Sequence, residues 1–117
     1  MVLVDASVWV EHFRRNDAQL ARLLEAADVV VHPFVIGELA LGTLRDRVRV
    51  LGLFGRMPVA AVATHTEVLT LVERRHLAGR GIGYVDAHLL ASAVIARARL
   101  WTRDERLAAV ARELAVS

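Results

Sequence analysis

Four acidic residues stand where an alternating strand–helix chain would deliver them to one edge. They are Asp5 at the end of VLVD, Glu38 in PFVIGELALG, Asp86 in GYVDAHLLASA and Asp104 in LWTRDERL. Carboxylates crowded together repel one another and raise each other's pKa unless a cation sits among them. The chain offers oxygen ligands, no Cys and no pair of His at helical spacing, so the expected ion is Mg²⁺ or Mn²⁺ rather than Zn²⁺. Such a cluster suits attack of water on a phosphodiester, because a divalent ion lowers the pKa of bound water and stabilises charge on the attacking and leaving oxygens. Each Asp also has a plainer role. An acid at a helix start stabilises the helix by roughly 0.5–2 kcal/mol without any catalysis. Glu38 resists that explanation, being the only charge between Pro33 and Thr43 in a run whose burial would leave it without a partner.

The elements that must position these acids are legible as strands alternating with helices. Val2 to Val4 is a short aliphatic run, read as a strand buried on both faces, and Asp5 or Ser7 can cap a first helix reaching about Arg14. A second helix starts at Asp17, with apolar spacing at Leu20, Leu23, Leu24 and Ala27. Val29 to Val31 reads as the second strand, and Pro33 takes a first helical position before FVIGELALGTL. A further helix through RDRVRVLGLFG ends at Gly55, and Val59 to Ala63 gives a third strand. A helix from about His65 to Leu77 is expected to stop at the glycines of AGRGIG, followed by an apolar helix YVDAHLLASAVIARA with Asp86 in its first turn. Leu100 to Thr102 is a fourth strand, Asp104 is the N-cap of the last helix, and Leu114 to Val116 is a short edge strand. Right-handed crossovers then imply a single α/β domain over residues 1–117, with a central, mostly parallel sheet of four or five strands between helices.

Composition narrows the partners. All fifteen cationic side chains are Arg and net charge is only +2, which suits bidentate phosphate contact or reflects a GC-rich genome. Arg14, Arg15, Arg80 and Arg103 fall near the expected acidic edge. An apolar share of 56% exceeds what one domain core needs, and Val35, Leu39, Leu41, Leu51, Leu53 and Phe54 are taken as surface for a second copy or another partner. The absence of Cys fits a reducing compartment. No basic leader or membrane-length apolar run is present, so the expected location is the cytoplasm, away from the membrane. Trp9 and Trp101 are expected in the core, and the five His at the surface or satisfied by hydrogen bonds. Ser7 and Thr102 are placed to hydrogen-bond a ligating carboxylate or an outer-shell water.

With the four acids in this order, the chain resembles the PIN-domain ribonucleases, and specifically the VapC toxins of bacterial type II toxin–antitoxin systems. The resemblance covers the whole chain. It implies a three-layer α/β/α domain and a Mg²⁺- or Mn²⁺-dependent endoribonuclease. A homodimer is implied too, neutralised in a hetero-oligomer by a cognate VapB-type antitoxin whose tail blocks the site. By that resemblance Asp5, Asp86 and Asp104 are the metal-binding aspartates, Glu38 is the acid after the second strand, and Thr102 matches a hydroxyl residue beside the last Asp.

Rival readings are weaker. A phosphoryl-accepting receiver domain also gathers acids at a parallel sheet's edge but relies on a Lys, and this chain has none. A dehalogenase-type phosphatase would need an acid where Ser7 stands, and a P-loop would need Gly-Lys-Ser or Gly-Lys-Thr. A catalytically silent binding module, whose acids are only helix caps, is the alternative that requires an experiment.

Overall fold

The aliphatic run at the start of the chain forms the middle of the sheet. In the computed structural model, which describes all residues 1–117, Val2–Val4 (β1) is buried along its whole length. It pairs in parallel with Val29–Val30 (β2) on one side and Arg99–Trp101 (β3) on the other, giving the order β2-β1-β3. Val2 lies opposite Val29 and Arg99, and Val4 opposite Trp101. Seven helices surround this sheet: Ala6–Arg15 (α1), Ala18–Glu25 (α2), Pro33–Leu41 (α3), Arg47–Phe54 (α4), His65–Arg74 (α5), Tyr84–Ala96 (α6) and Glu105–Glu113 (α7). The class is the expected one. No helix is long and apolar enough to cross a membrane.

The sheet is narrower than expected, with three strands rather than four or five. The segment from Val59 to Ala63 contributes one parallel bridge, Val31 to Val59. The reason lies in its would-be partner: the chain after Val31 turns at Pro33 into α3, so no strand edge remains beyond the first rung. The Ala61 carbonyl instead accepts a hydrogen bond from Ser92 Oγ. At the other edge, the segment from Leu114 to Val116 makes a single bond, from Leu100 N–H to the Val116 carbonyl, and no ladder. Helix α5 also stops earlier than its apolar spacing suggests. His76 adopts a left-handed φ of 55° and Leu77 N–H reaches back to the Val72 carbonyl, which closes the helix before the glycines are reached. Gly81, at φ 80°, is still favoured, because a side chain in that left-handed conformation would be strained.

The residues assigned to a partner surface divide in two. Val35, Leu39 and Phe54 belong to the molecule's own core, and Phe54 meets the Trp9 ring edge-on at 5.0 Å. Leu51 is partly covered, whereas Leu41 is 91% and Leu53 47% exposed. Val10, Phe13 and Leu53 line one groove of about 980 Å³ that also reaches Glu38. Trp9 is buried as expected, but Trp101 is only half-buried, with the Arg103 guanidinium 5.3 Å from its ring centre. Two outcomes follow for urea unfolding. Leu41→Asp and Leu53→Asp should each change stability by no more than about 0.5 kcal/mol, as surface substitutions do, whereas Phe54→Asp should prevent folding.

Candidate active site

Asp5 is placed by the sheet itself. Its backbone N–H donates to the Trp101 carbonyl at 2.9 Å, which continues the β1–β3 pairing one residue past the strand. The side chain then enters a hydroxyl cradle. Ser7 Oγ donates to Asp5 Oδ2 at 2.8 Å and Thr102 Oγ1 donates to the same oxygen at 2.7 Å. Each hydroxyl is oriented in turn by a backbone N–H of the loop after β3, Arg103 to Ser7 at 2.9 Å and Asp104 to Thr102 at 3.1 Å. Asp5 occupies the N-cap position of α1, yet its carboxylate makes no capping bond. The helix-cap explanation therefore fails for Asp5, and Ser7 does not supply the cap either.

For the other two aspartates capping holds and leaves an oxygen over. Asp86 Oδ2 accepts from Gly83 N–H at 3.1 Å, and Asp104 Oδ1 accepts from Arg106 and Leu107 N–H at 2.9 and 3.0 Å. Each of the three aspartates thus uses one carboxylate oxygen to fix its own position, while Asp5 Oδ1, Asp86 Oδ1 and Asp104 Oδ2 make no hydrogen bond. Glu38 is exposed and less restrained by neighbours: its side chain takes part in no hydrogen bond or ion pair. Burial raises the Glu38 pKa, and the charges of Asp5 and Asp86 raise it further. Burial likewise raises that of Asp86, with Asp5 and Asp104 adding to it and the Gly83 N–H opposing. The four acids are therefore coupled through the field, although no three acids or histidines converge into a ready-made ion cage.

The arrangement of Glu38 relative to Asp86 depends on a residue that sequence reasoning left among scattered histidines. His32 is fully buried at the N-cap of α3. Its Nδ1 accepts from Phe34 N–H at 3.0 Å, so the ring proton is on Nε2 and is donated to Ser92 Oγ at 3.0 Å. Ser92 in turn donates to the Ala61 carbonyl at 2.7 Å. This chain of bonds fastens the helix carrying Glu38 to the helix carrying Asp86. Burial, with His88 nearby, lowers the His32 pKa to about 4. His-Pro at a strand–helix junction and a lone Ser in the apolar run of α6 were the available signals. His88 departs from expectation, being buried with no partner for Nδ1. Three of the four arginines named from sequence are committed to ion pairs, Arg103 with Asp17, Arg80 with both oxygens of Glu113 and Arg15 with Glu11.

A family profile described as the PIN domain matches residues 2–113. The chain belongs to the PIN-domain family. Among curated proteins, this PIN domain is 52% identical over its whole length to "Ribonuclease VapC32" from two strains of Mycobacterium tuberculosis, covering 95% of each. Among solved structures, the crystal structure of PAE2754 from Pyrobaculum aerophilum matches with a TM-score of 0.63 at 19% identity, covering 99% of this chain and 96% of that one. That likeness supports the fold of the PIN domain, and the two ribonucleases bear on its chemistry.

Proposed function

We propose that this PIN domain is a divalent-metal-dependent endoribonuclease, the toxin of a VapBC pair, hydrolysing RNA phosphodiesters at Asp5, Glu38, Asp86 and Asp104. The observation that carries the reading is the division of labour within the aspartates: one oxygen of each is spent on holding position and the other is left to a ligand. The name of the 52% identical relatives supports it. Asp5, Asp86 and Asp104 would hold Mg²⁺ or Mn²⁺, a fit argued from their oxygen-only donor set and from the charges of Asp5 and Asp104, which add to burial in raising the Asp86 pKa. The ion, when bound, supplies Lewis acidity at the scissile phosphate and a lowered pKa for water. Ser7 and Thr102 keep Asp5 from rotating, and Glu38, whose pKa is raised by burial and by the charges of Asp5 and Asp86, takes the proton of the attacking water on a carboxylate oxygen.

The same reading gives the groove beside Glu38 to a VapB-type antitoxin, because Val10, Phe13 and Leu53 offer an apolar floor that ends at the acids. It also expects a homodimer within a toxin–antitoxin hetero-oligomer, acting in the cytoplasm. The capping bonds of Asp86 and Asp104 favour the silent-module alternative, and the bonding of Asp5 does not. Cleavage of RNA by the purified chain with Mg²⁺ or Mn²⁺, and its loss in excess chelator, separates the two. Metal should also raise the melting temperature. At an ion concentration ten times Kd the gain is about 1.4 kcal/mol, visible as a shift of several degrees in a thermal melt. Undiminished cleavage in chelator would count against a metal-centred site.

A further inference from the structure

The side chains around the start of α6 form a ladder of rings. From centre to centre, His65 lies 5.6 Å from Tyr84, Tyr84 4.6 Å from His88, His88 4.8 Å from Phe34 and Phe34 5.1 Å from His32. Its inner end is buried with His32 and His88, while Tyr84 at the outer end is 48% exposed. An exposed Tyr in the first turn of a helix is ordinarily free to change rotamer. Tyr84 is held at two points: its ring meets His88 at 88°, and its hydroxyl hydrogen-bonds His65 Nδ1 at 2.7 Å. Holding a ring still in water loses rotamer freedom, and a hydrogen bond between two exposed side chains gains little in return. Stability therefore does not account for the arrangement, whereas a flat ligand placed on the open face of the ring would.

We infer that Tyr84, braced by His65 and His88, is a stacking platform for an unpaired nucleobase of the RNA beside the bond that is cut. Tyr84 and Asp86 share the first turn of α6 on different faces, and the ladder links Tyr84 through His88 to Phe34, which lies one helical turn before Glu38 on the same face of α3, so the rings run toward the acids. Stacking suits a substrate read without hydrogen bonds to base edges, since every base has a π face, and one such contact contributes roughly five- to a hundredfold in affinity. A base already stacked inside a duplex offers no free face, so the platform favours single-stranded segments.

This inference rests on the RNA-cleaving reading, and its test separates the two. A short single-stranded RNA carrying 2-aminopurine in place of its adenines is titrated with the full chain in excess chelator, where no cleavage occurs. Binding by the native chain should quench the fluorescence, Tyr84→Leu should weaken binding roughly five- to a hundredfold, and Tyr84→Phe should stay within about threefold of native. With metal restored, Tyr84→Leu should raise KM far more than it lowers kcat. Should Tyr84→Leu melt at a much lower temperature, Tyr84→Trp replaces it as the deciding variant and should bind at least as tightly as native. Unquenched fluorescence in the native complex, native-like binding by Tyr84→Leu, or a loss in Tyr84→Phe equal to that in Tyr84→Leu would overturn the platform. A native chain that binds and quenches but cleaves nothing with Mg²⁺ or Mn²⁺ would instead overturn the nuclease reading and leave the platform standing.

Discussion

Asp5→Asn is expected to lower RNA cleavage about a thousandfold or more while leaving the metal-free melting temperature at or above that of the native chain. The amide can present its carbonyl oxygen to Ser7 and Thr102 and keep both bonds that Asp5 Oδ2 now accepts. What changes is the other side of the group, where an NH₂ replaces the uncommitted oxygen and the charge is lost. A metal site that contributes several kcal/mol to the transition state loses a tenfold factor in rate for every 1.4 kcal/mol removed. Stability moves the other way, because Asp5 is one of the charges raising the pKa of Glu38 and of Asp86. No capping bond is given up, since Asp5 makes none. Cleavage assays beside circular-dichroism melts decide it. Equal activity would remove Asp5 from the site, and loss of activity with a collapsed melt would make its role structural.

Acidification from neutral pH to pH 4.5 should remove about 2–3 kcal/mol of stability through His32 alone. The folded ring stays neutral until about pH 4, whereas the unfolded chain takes up that proton near pH 6.5. Between those values the unfolded state binds more protons, so the contribution is complete above about pH 6.5 and is lost progressively as pH falls toward 4. His88, whose pKa is lowered chiefly by burial, acts in the same direction. Glu38 and Asp86 act in the opposite one: their pKa values are raised in the fold, so protonating them at the acid end relieves a cost carried at neutral pH. Urea unfolding across this range should show the fall. His32→Asn should flatten it, because Asn still caps a helix but does not titrate, at a cost of about 1–3 kcal/mol near neutrality for the lost Ser92 bond. An unchanged pH slope in that variant would assign the acid sensitivity elsewhere.

The candidate acids could be named from local pattern, and the way each is held could not. Val2 to Val4 announced a strand buried on both faces, and an acid directly after it could only lie at the sheet's carboxyl edge. Whether Asp5 capped α1 depended on Thr102, a neighbour 97 residues away that no local pattern reveals. The bond from His32 to Ser92 spans 60 residues and depends on which ring nitrogen carries the proton, which Phe34 N–H decides only in the folded chain. Val59 to Ala63 has a strand's composition, but strands need partners, and β2 has already turned into α3. Phe54 and Leu53 look alike in sequence, and one residue of helical rotation sends the first into the core and leaves the second half exposed.

The cradle around Asp5 also sets a timetable. β1 leaves the ribosome before its neighbours, and β2 follows soon enough to pair with it, but the opposite edge of the central strand must wait for β3 at Arg99–Trp101. Thr102 and the two backbone N–H groups that orient the hydroxyls come later still, just before the last helix. Until those residues emerge, Asp5 has no fixed orientation and Asp104 is not yet part of the molecule. A chain still being synthesised can thus pair β1 with β2 without acquiring a complete site. The candidate site is assembled only once the segment carrying β3 and α7 has emerged, and a truncation that removes both takes Thr102 and Asp104 with it.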